Sequence, residues 1–354
     1  MGDTHRIAVI PGDGIGREVV DEGMRVLEAA GSRYGIDFVW QSFPWGCDYY
    51  RETGRMMPED GIEQLRPFDA IYLGAVGAPG VPDHVSLWGL LLPIRRGFHQ
   101  AINLRPVRLF EGVASPLAGR GPGDIDLVVV RENSEGEYSE LGGRVFAGTD
   151  REVVLQTSVF TRAGVDRVMR YAFELAVSRP DRHLTAATKS NGIIHTMPFW
   201  DERFEALAAE YDDVRADRYH IDALTAQLVR APDRFDVLVG SNLFGDILSD
   251  LAPALAGSLA LAPSANIDPD GDNPGMFEPV HGSAPDIAGQ GIANPIGQIW
   301  SGALMLRDLG HDDAADAIER AIATALAEPA LHTADLGGRA RTEEVGSAVA
   351  GLVE

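Results

Sequence analysis

Short apolar runs alternate along this chain with stretches whose apolar residues recur three and four apart, and that alternation limits the fold more than any other feature. Residues 6–10, 68–73, 126–130 and 235–239 are brief, rich in β-branched side chains and bounded by Gly, Pro or Asp, which predicts buried strands. Residues 18–30, 163–178, 199–211, 296–309 and 314–327 carry helical spacing, and Gly31 and Gly310 stand where two of those helices are expected to end. Strand–helix alternation predicts a largely parallel sheet with helices on both faces. The Gly- and Pro-rich segments 74–82, 115–123 and 268–295 read as loops, the last too long to be idle in a compact domain. Residues 144–161 differ: Val145-Phe146, a Gly148-Thr149-Asp150 turn and Val153-Val154-Leu155 predict a hairpin. Either a plain edge hairpin or an arm pairing with a second subunit fits that pattern.

Charge narrows the partners. A net charge of −23 repels polyanions, so neither nucleic acid nor an anionic membrane is an expected partner. Cys47, the single cysteine, excludes an internal disulfide and fits a reducing compartment. The first nine residues carry Asp3, His5 and Arg6 and do not read as a signal peptide, and residues 251–265 are broken by Pro253 and Pro263 and fall short of the ~20 that a membrane span needs. A cytoplasmic protein is expected.

Among the 30 basic residues only Lys189 is lysine. Arginine serves as well on surfaces, in ion pairs and at phosphates, but its guanidinium does not give up a proton near neutral pH. Lys189, in Thr188-Lys189-Ser190-Asn191-Gly192 after a strand-like run, is therefore a candidate for proton transfer, with its pKa lowered by burial and neighbouring cations.

Gly12-Asp13-Gly14-Ile15-Gly16 lies between a strand and a helix but fails the dinucleotide fingerprint, because Arg17 occupies the position of the third glycine. A tight strand-to-helix turn explains it better. Asp246 and Asp250 follow the 235–239 strand and are four apart, on one face of an expected helix. They are either oxygen ligands for Mg²⁺ or Mn²⁺ or a solvated acidic pair near the helix start. Arg95 and Arg105 flank a helix-like run ending at residues 103–106, and Arg131 closes the 126–130 strand. Each arginine alone can be a structural ion pair, whereas together they would hold a small di- or tricarboxylate.

These motifs resemble, from end to end, the metal-dependent β-decarboxylating dehydrogenases, which include the isopropylmalate, isocitrate, homoisocitrate and D-malate/tartrate enzymes. Residues 242–250 (NLFGDILSD) and 278–286 (EPVHGSAPD) are the most specific pieces. The resemblance implies an isopropylmalate-dehydrogenase-like two-domain α/β/α fold with one continuous mixed sheet and no Rossmann fingerprint. Residues 1–100 with 257–354 would form the cofactor-side domain, and 101–256 the dimerisation and metal-site domain, with the hairpin at about 144–160 as an intersubunit arm. Carried over by motif, Arg95, Arg105 and Arg131 hold the substrate carboxylates, and Asp246 and Asp250 hold Mn²⁺ or Mg²⁺ with Asp222 of the other subunit of a homodimer. Tyr138 and the neighbour's Lys189 form the acid–base pair. The dinucleotide would lie along Glu278, His281, Gly282, Ser283, Ala284, Asp286, Ile287 and Asn294, with Asn191 at the nicotinamide end. Asp286 would read the ribose and favour NAD over NADP. The resemblance leaves room for a monovalent cation.

Substrate choice is expected in residues 83–92 (DHVSLWGLLL), where isopropylmalate enzymes present an acidic residue and leucines and this chain has Trp88 at the acidic position. That segment, with residues 131–139, looks most like the D-malate/tartrate branch. The implied activity is NAD- and metal-dependent oxidative decarboxylation of D-malate, a small 2-hydroxy dicarboxylate, to pyruvate and CO₂, with tartrate as an additional substrate. The alternatives are 3-isopropylmalate oxidation and a catalytically silent regulatory subunit, which would be expected to lack Tyr138, Lys189 or a metal aspartate.

Overall fold

The computed structural model of the chain describes residues 3–353. Met1, Gly2 and Glu354, the outer ends of the expected cofactor-side domain and the start of the segment read for a signal peptide, lie outside the described residues. The strands are β1 (Asp3–Gly12), β2 (Ile36–Ser42), β3 (Ala70–Ala75), β4 (Ile102–Arg108), β5 (Asp126–Glu132), β6 (Gly142–Val145), β7 (Val153–Gln156), β8 (His183–Thr188), β9 (Arg215–His220), β10 (Val237–Gly240), β11 (Pro263–Ile267) and β12 (Gly275–Pro279). Ten of them form one continuous sheet in the order β2-β1-β3-β12-β11-β4-β5-β10-β8-β9.

The sheet is largely parallel, as the alternation predicts, and mixed, as the resemblance implies: six of its nine pairings are parallel and three antiparallel. β2, β1, β3 and β12 are mutually parallel, and so are β5, β10, β8 and β9. Between these sets β12, β11, β4 and β5 pair antiparallel in succession, so the two parallel halves run in opposite directions. Crossover helices dictate parallel neighbours only within each half; strands without such a connection fill the centre.

β3 and β12 are buried along their whole length and β1 from Ile7 to Ile10, so these runs are largely apolar on both faces, whereas the edge strand β2 is mostly exposed. Ile7 and Val9 of β1 join the core beneath the helix Gly16–Tyr34, with Val26 and Leu27. Ala8 and Ile10 point to the other face and pack with Phe43, Trp45, Ile94 and Phe98. The helices expected near 18–30, 163–178, 199–211, 296–309 and 314–327 are Gly16–Tyr34, Arg162–Ser178, Thr196–Ala208, Ile296–Asp308 and Asp312–Leu326.

Gly310 (φ 85°) follows its helix as expected, but Gly31 does not end one. That helix continues to Tyr34 and is capped by Gly35 (φ 74°). Gly31 is glycine because a Cβ there would come within 2.5 Å of the Ile36 carbonyl oxygen at the start of β2. The run between Arg95 and Arg105 is a short helix, Leu92–Gly97, followed by β4, and the supposed loop 268–295 contains β12. β6 and β7 form the expected hairpin as a separate two-stranded sheet. Among the described residues no helix is long and apolar enough to cross a membrane.

Candidate active site

Three elements bring three guanidinium groups to one cavity of about 210 Å³. Arg95 comes from the helix Leu92–Gly97, Arg105 from β4 and Arg131 from the end of β5, and all three are buried. Tyr138, Asp246, Leu87, Leu91 and the start of the loop after β12 complete the wall. Asp246 lies in the first turns of the helix Asn242–Leu255, whose N-terminus is capped by Ser241.

Arg131 donates through Nε and Nη2 to Asn242 Oδ1, at 3.2 and 2.7 Å, and through Nη1 to Asp246. Arg105 donates to Ser249 Oγ at 2.7 Å and sits 3.8 Å from both Asp246 and Asp250. Arg95 donates to Glu278 at 2.8 Å. The Nε–H groups of Arg95 and Arg105 are buried without a partner. Three buried guanidinium groups around one cavity form a local positive cluster of the kind that pairs with carboxylates. Burial lowers the pKa of Arg105, and burial together with Arg105 brings Arg131 down to about 10. In so acidic a chain this local cluster is what makes an anion site possible.

Tyr138 donates its hydroxyl to Asp246 Oδ2 at 2.9 Å, and the Arg131 guanidinium carbon lies 5.5 Å from its ring centroid. Burial and the Asp246 carboxylate push the phenol above its usual pKa. Burial would raise Asp246 as well, but Arg131 and Arg105 outweigh it and hold the carboxyl low. Asp250 has no hydrogen-bond donor among the described residues; partial burial and Asp246 raise its pKa against the pull of Arg105. An oxygen-only pair one turn apart, one member without a donor, suits a hard divalent cation.

Lys189 and Asp222 do not line this cavity. They pair with each other, Nζ to Oδ1 at 2.6 Å, where the turn after β8 faces the first turn of the helix Ile221–Arg230, and Asn191 is exposed beside them. Lys189 holds the Asp222 carboxyl below its usual range. Within one chain, no group of three His, Cys, Asp or Glu residues able to hold a metal occurs among the described residues. The expected site residues thus fall into two groups, the arginine cavity and the Lys189–Asp222 pair.

The expected cofactor residues lie along the segment after β12. Glu278 is buried and accepts from Arg95 and from Asn266 Nδ2, both at 2.8 Å. Gly282 joins the cavity wall beside His281, whose Nε2 is buried and unpartnered, and burial lowers the ring's pKa. The Ser283 carbonyl accepts from Ile15 N at 2.9 Å, and Ala284 (φ 37°) and Ile287 pack on Ile15 and Val19. Glu18 accepts from the N–H groups of Gly289 and Gly291, tying the loop to the first helix. Asp286 is exposed. The Asn294 amide is engaged at both ends, donating to Asp335 at 3.1 Å and accepting from Ile296 N at 3.0 Å. Asp13, between Gly12 and Gly14, accepts from the N–H groups of Cys47 and Gly77, which gives the glycine-rich opening its role as a structural turn.

Within the segment 83–92, where substrate choice is expected, Leu87 and Leu91 line the cavity and Trp88 does not. A wide π turn spans Leu87–Leu91, with the Leu92 N–H bonded back to the Leu87 carbonyl, and the Trp88 ring centroid lies 5.0 Å from the Arg96 guanidinium carbon. Sequence reasoning missed Asn242 and Ser249, the acceptors for Arg131 and Arg105, although both sit in the Asp246–Asp250 motif. Glu132 was missed too. It is buried, accepts from Ser134 and Glu135, and burial pushes its carboxyl to about 7.

Comparison with known proteins places these features in context. The sequence pattern described as isocitrate/isopropylmalate dehydrogenase matches residues 6–349. The chain is 58% identical to D-malate dehydrogenase [decarboxylating] of Escherichia coli (strain K12), covering 100% of this chain and 99% of that protein. It is 57% identical to tartrate dehydrogenase/decarboxylase of Pseudomonas putida, covering 98% and 97%. The crystal structure of isocitrate dehydrogenase from Methylococcus capsulatus superimposes with a TM-score of 0.89 at 35% identity over 99% of each chain.

Proposed function

The chain belongs to the isocitrate/isopropylmalate dehydrogenase family and is a decarboxylating dehydrogenase, and from that premise we propose that it converts D-malate and NAD to pyruvate, CO₂ and NADH with a divalent metal, and turns over tartrate as well. The observation that carries the reading is the convergence of Arg95, Arg105 and Arg131 on a cavity of about 210 Å³. The full-length similarity to a D-malate and a tartrate enzyme supports the same substrate class.

In this reading the three arginines bind and orient the two carboxylates. Asp246 and Asp250, joined by the partner's Asp222, would hold Mn²⁺ or Mg²⁺. The ion would supply a Lewis acid and NAD would take the hydride. The partner's Lys189 accepts the hydroxyl proton as the C2 hydride leaves, giving the 2-keto diacid. Loss of the β-carboxylate as CO₂ leaves an enolate, and Tyr138 protonates its carbon. Exposed apolar side chains near the incomplete halves of the site, Ile194 beside Lys189 and Ile247 beside Asp246, support a homodimer in which each subunit completes the other.

A second reading, 3-isopropylmalate oxidation, is favoured by the Leu87–Leu91 wall, which could pack a branched alkyl group. The deciding measurement is kcat/KM for D-malate, L- and meso-tartrate, 3-isopropylmalate and isocitrate with NAD and Mn²⁺. D-Malate is expected to lead; an isopropylmalate value tenfold above it would establish the second reading instead.

A further inference from the structure

We propose that Arg96, seated on Trp88, is a positioning residue that latches the Tyr138 segment across the mouth of the cavity. The inference rests on the decarboxylating reading and assigns to Arg96 and Trp88 a role distinct from substrate contact.

Arg95 and Arg96 are adjacent in one short helix but serve different partners. Arg95 is buried and meets Glu278 at the cavity. Arg96 donates through Nη2 to the backbone carbonyl of Tyr138 at 3.0 Å and through Nη1 to Glu140 at 2.9 Å. Its guanidinium carbon is 5.0 Å from the Trp88 ring centroid, within cation–π range. Trp88 limits the rotamers open to Arg96, and the planar guanidinium can then serve two acceptors at once. The Glu140 side chain is 70% exposed, so the ion pair adds little energy. What the contact supplies is geometry.

The residues flanking Tyr138 are held elsewhere: Gly136 pairs with Val159, Glu137 accepts from Ser241 and Leu243, and Ser139 is tied to Thr157 and Gln156. Among the described residues, Arg96 alone hydrogen-bonds the main chain of Tyr138 itself. Arg96 follows β3, the third strand in the sheet order, whereas Tyr138 follows β5, the seventh. The contact therefore bridges the two parallel halves over the site. It fixes the main chain of the residue whose hydroxyl lies 2.9 Å from Asp246. Proton transfer to carbon is sensitive to small displacements of the donor, so loosening this carbonyl should slow that step more than substrate binding.

The test uses whichever of the panel substrates the enzyme turns over best, comparing wild type with Arg96→Met, Arg96→Lys and Trp88→Leu. Arg96→Met should lower kcat about tenfold, leave KM within about twofold, and raise the solvent deuterium isotope effect on kcat as protonation becomes limiting. Arg96→Lys, which keeps a cation on Trp88 and a donor for the Tyr138 carbonyl, should recover most of the loss. Trp88→Leu should shift kcat and the isotope effect in the same direction, by about threefold in kcat. An unchanged kcat in Arg96→Met, or a lowered kcat with an unchanged solvent isotope effect, overturns the latch, the second outcome meaning only fewer active molecules. Turnover with unaltered variants removes the role of Arg96 alone; no turnover of any panel substrate by folded wild type removes the functional reading with it.

Discussion

Lys189 holds its ammonium 2.6 Å from Asp222 Oδ1, an ion pair that arginine could make equally well. Arginine could not accept and release the substrate's hydroxyl proton. Lys189→Arg is therefore expected to keep the fold and the substrate KM while lowering kcat by about 10²–10⁴-fold, read as initial NADH formation. A variant keeping most of its activity would exclude proton transfer at this residue. Lys189 stands out by counting alone, because it is the single lysine among the 30 Lys and Arg residues. The convergence of Arg95, Arg105 and Arg131 was not, since they come from a helix and two strands whose juxtaposition no spacing encodes. The segment 83–92 was legible as part of the site, and its leucines four apart, Leu87 and Leu91, share the face that meets the cavity.

At the scale of elements, the strand-to-helix turn at Gly12–Gly16 and the loop after β12 are built against each other. Gly14 (φ 54°) approaches Ser283 so closely that an added Cβ would collide with its carbonyl oxygen, and the Ile15 N–H bonds that same oxygen at 2.9 Å. Gly14→Ala should displace the 283–287 segment and raise the KM for NAD about tenfold or more while changing the KM for D-malate little, in steady-state kinetics with each substrate varied in turn. Equal effects on both would show that this turn does not serve the cofactor side. The sequence carried the turn through its glycines, and the long helices through their periodicity. It concealed β9, whose polar run RADRYH pairs only with β8 at the sheet edge and needs no apolar pattern. It concealed β12 as well, because Gly275 and Pro279 bound a fully buried strand within loop-like composition.

For the whole molecule, the hairpin of β6 and β7 stands outside the main sheet with Val154 and Leu155 each 65% exposed. In the proposed homodimer these side chains are covered by a second copy. Val154→Asp combined with Leu155→Asp should yield a folded monomer by sedimentation velocity, with NADH formation reduced at least about 100-fold because the partner's Lys189 is missing. A monomeric variant with full activity would show that one chain suffices. The α/β class was readable from strand–helix alternation, but the reversal between the two parallel halves was not, since pairing across the centre is set by strands far apart in the chain.

That central arrangement constrains how the protein can be made. β3 and β4 are successive strands in the chain, yet β12 and β11 lie between them in the sheet. While the ribosome is still adding residues before Pro279, the nascent chain must carry two half-sheets with open inner edges and nothing to join them. Closure waits for the last quarter of synthesis and depends on contacts between distant parts of the chain, which fold slowly.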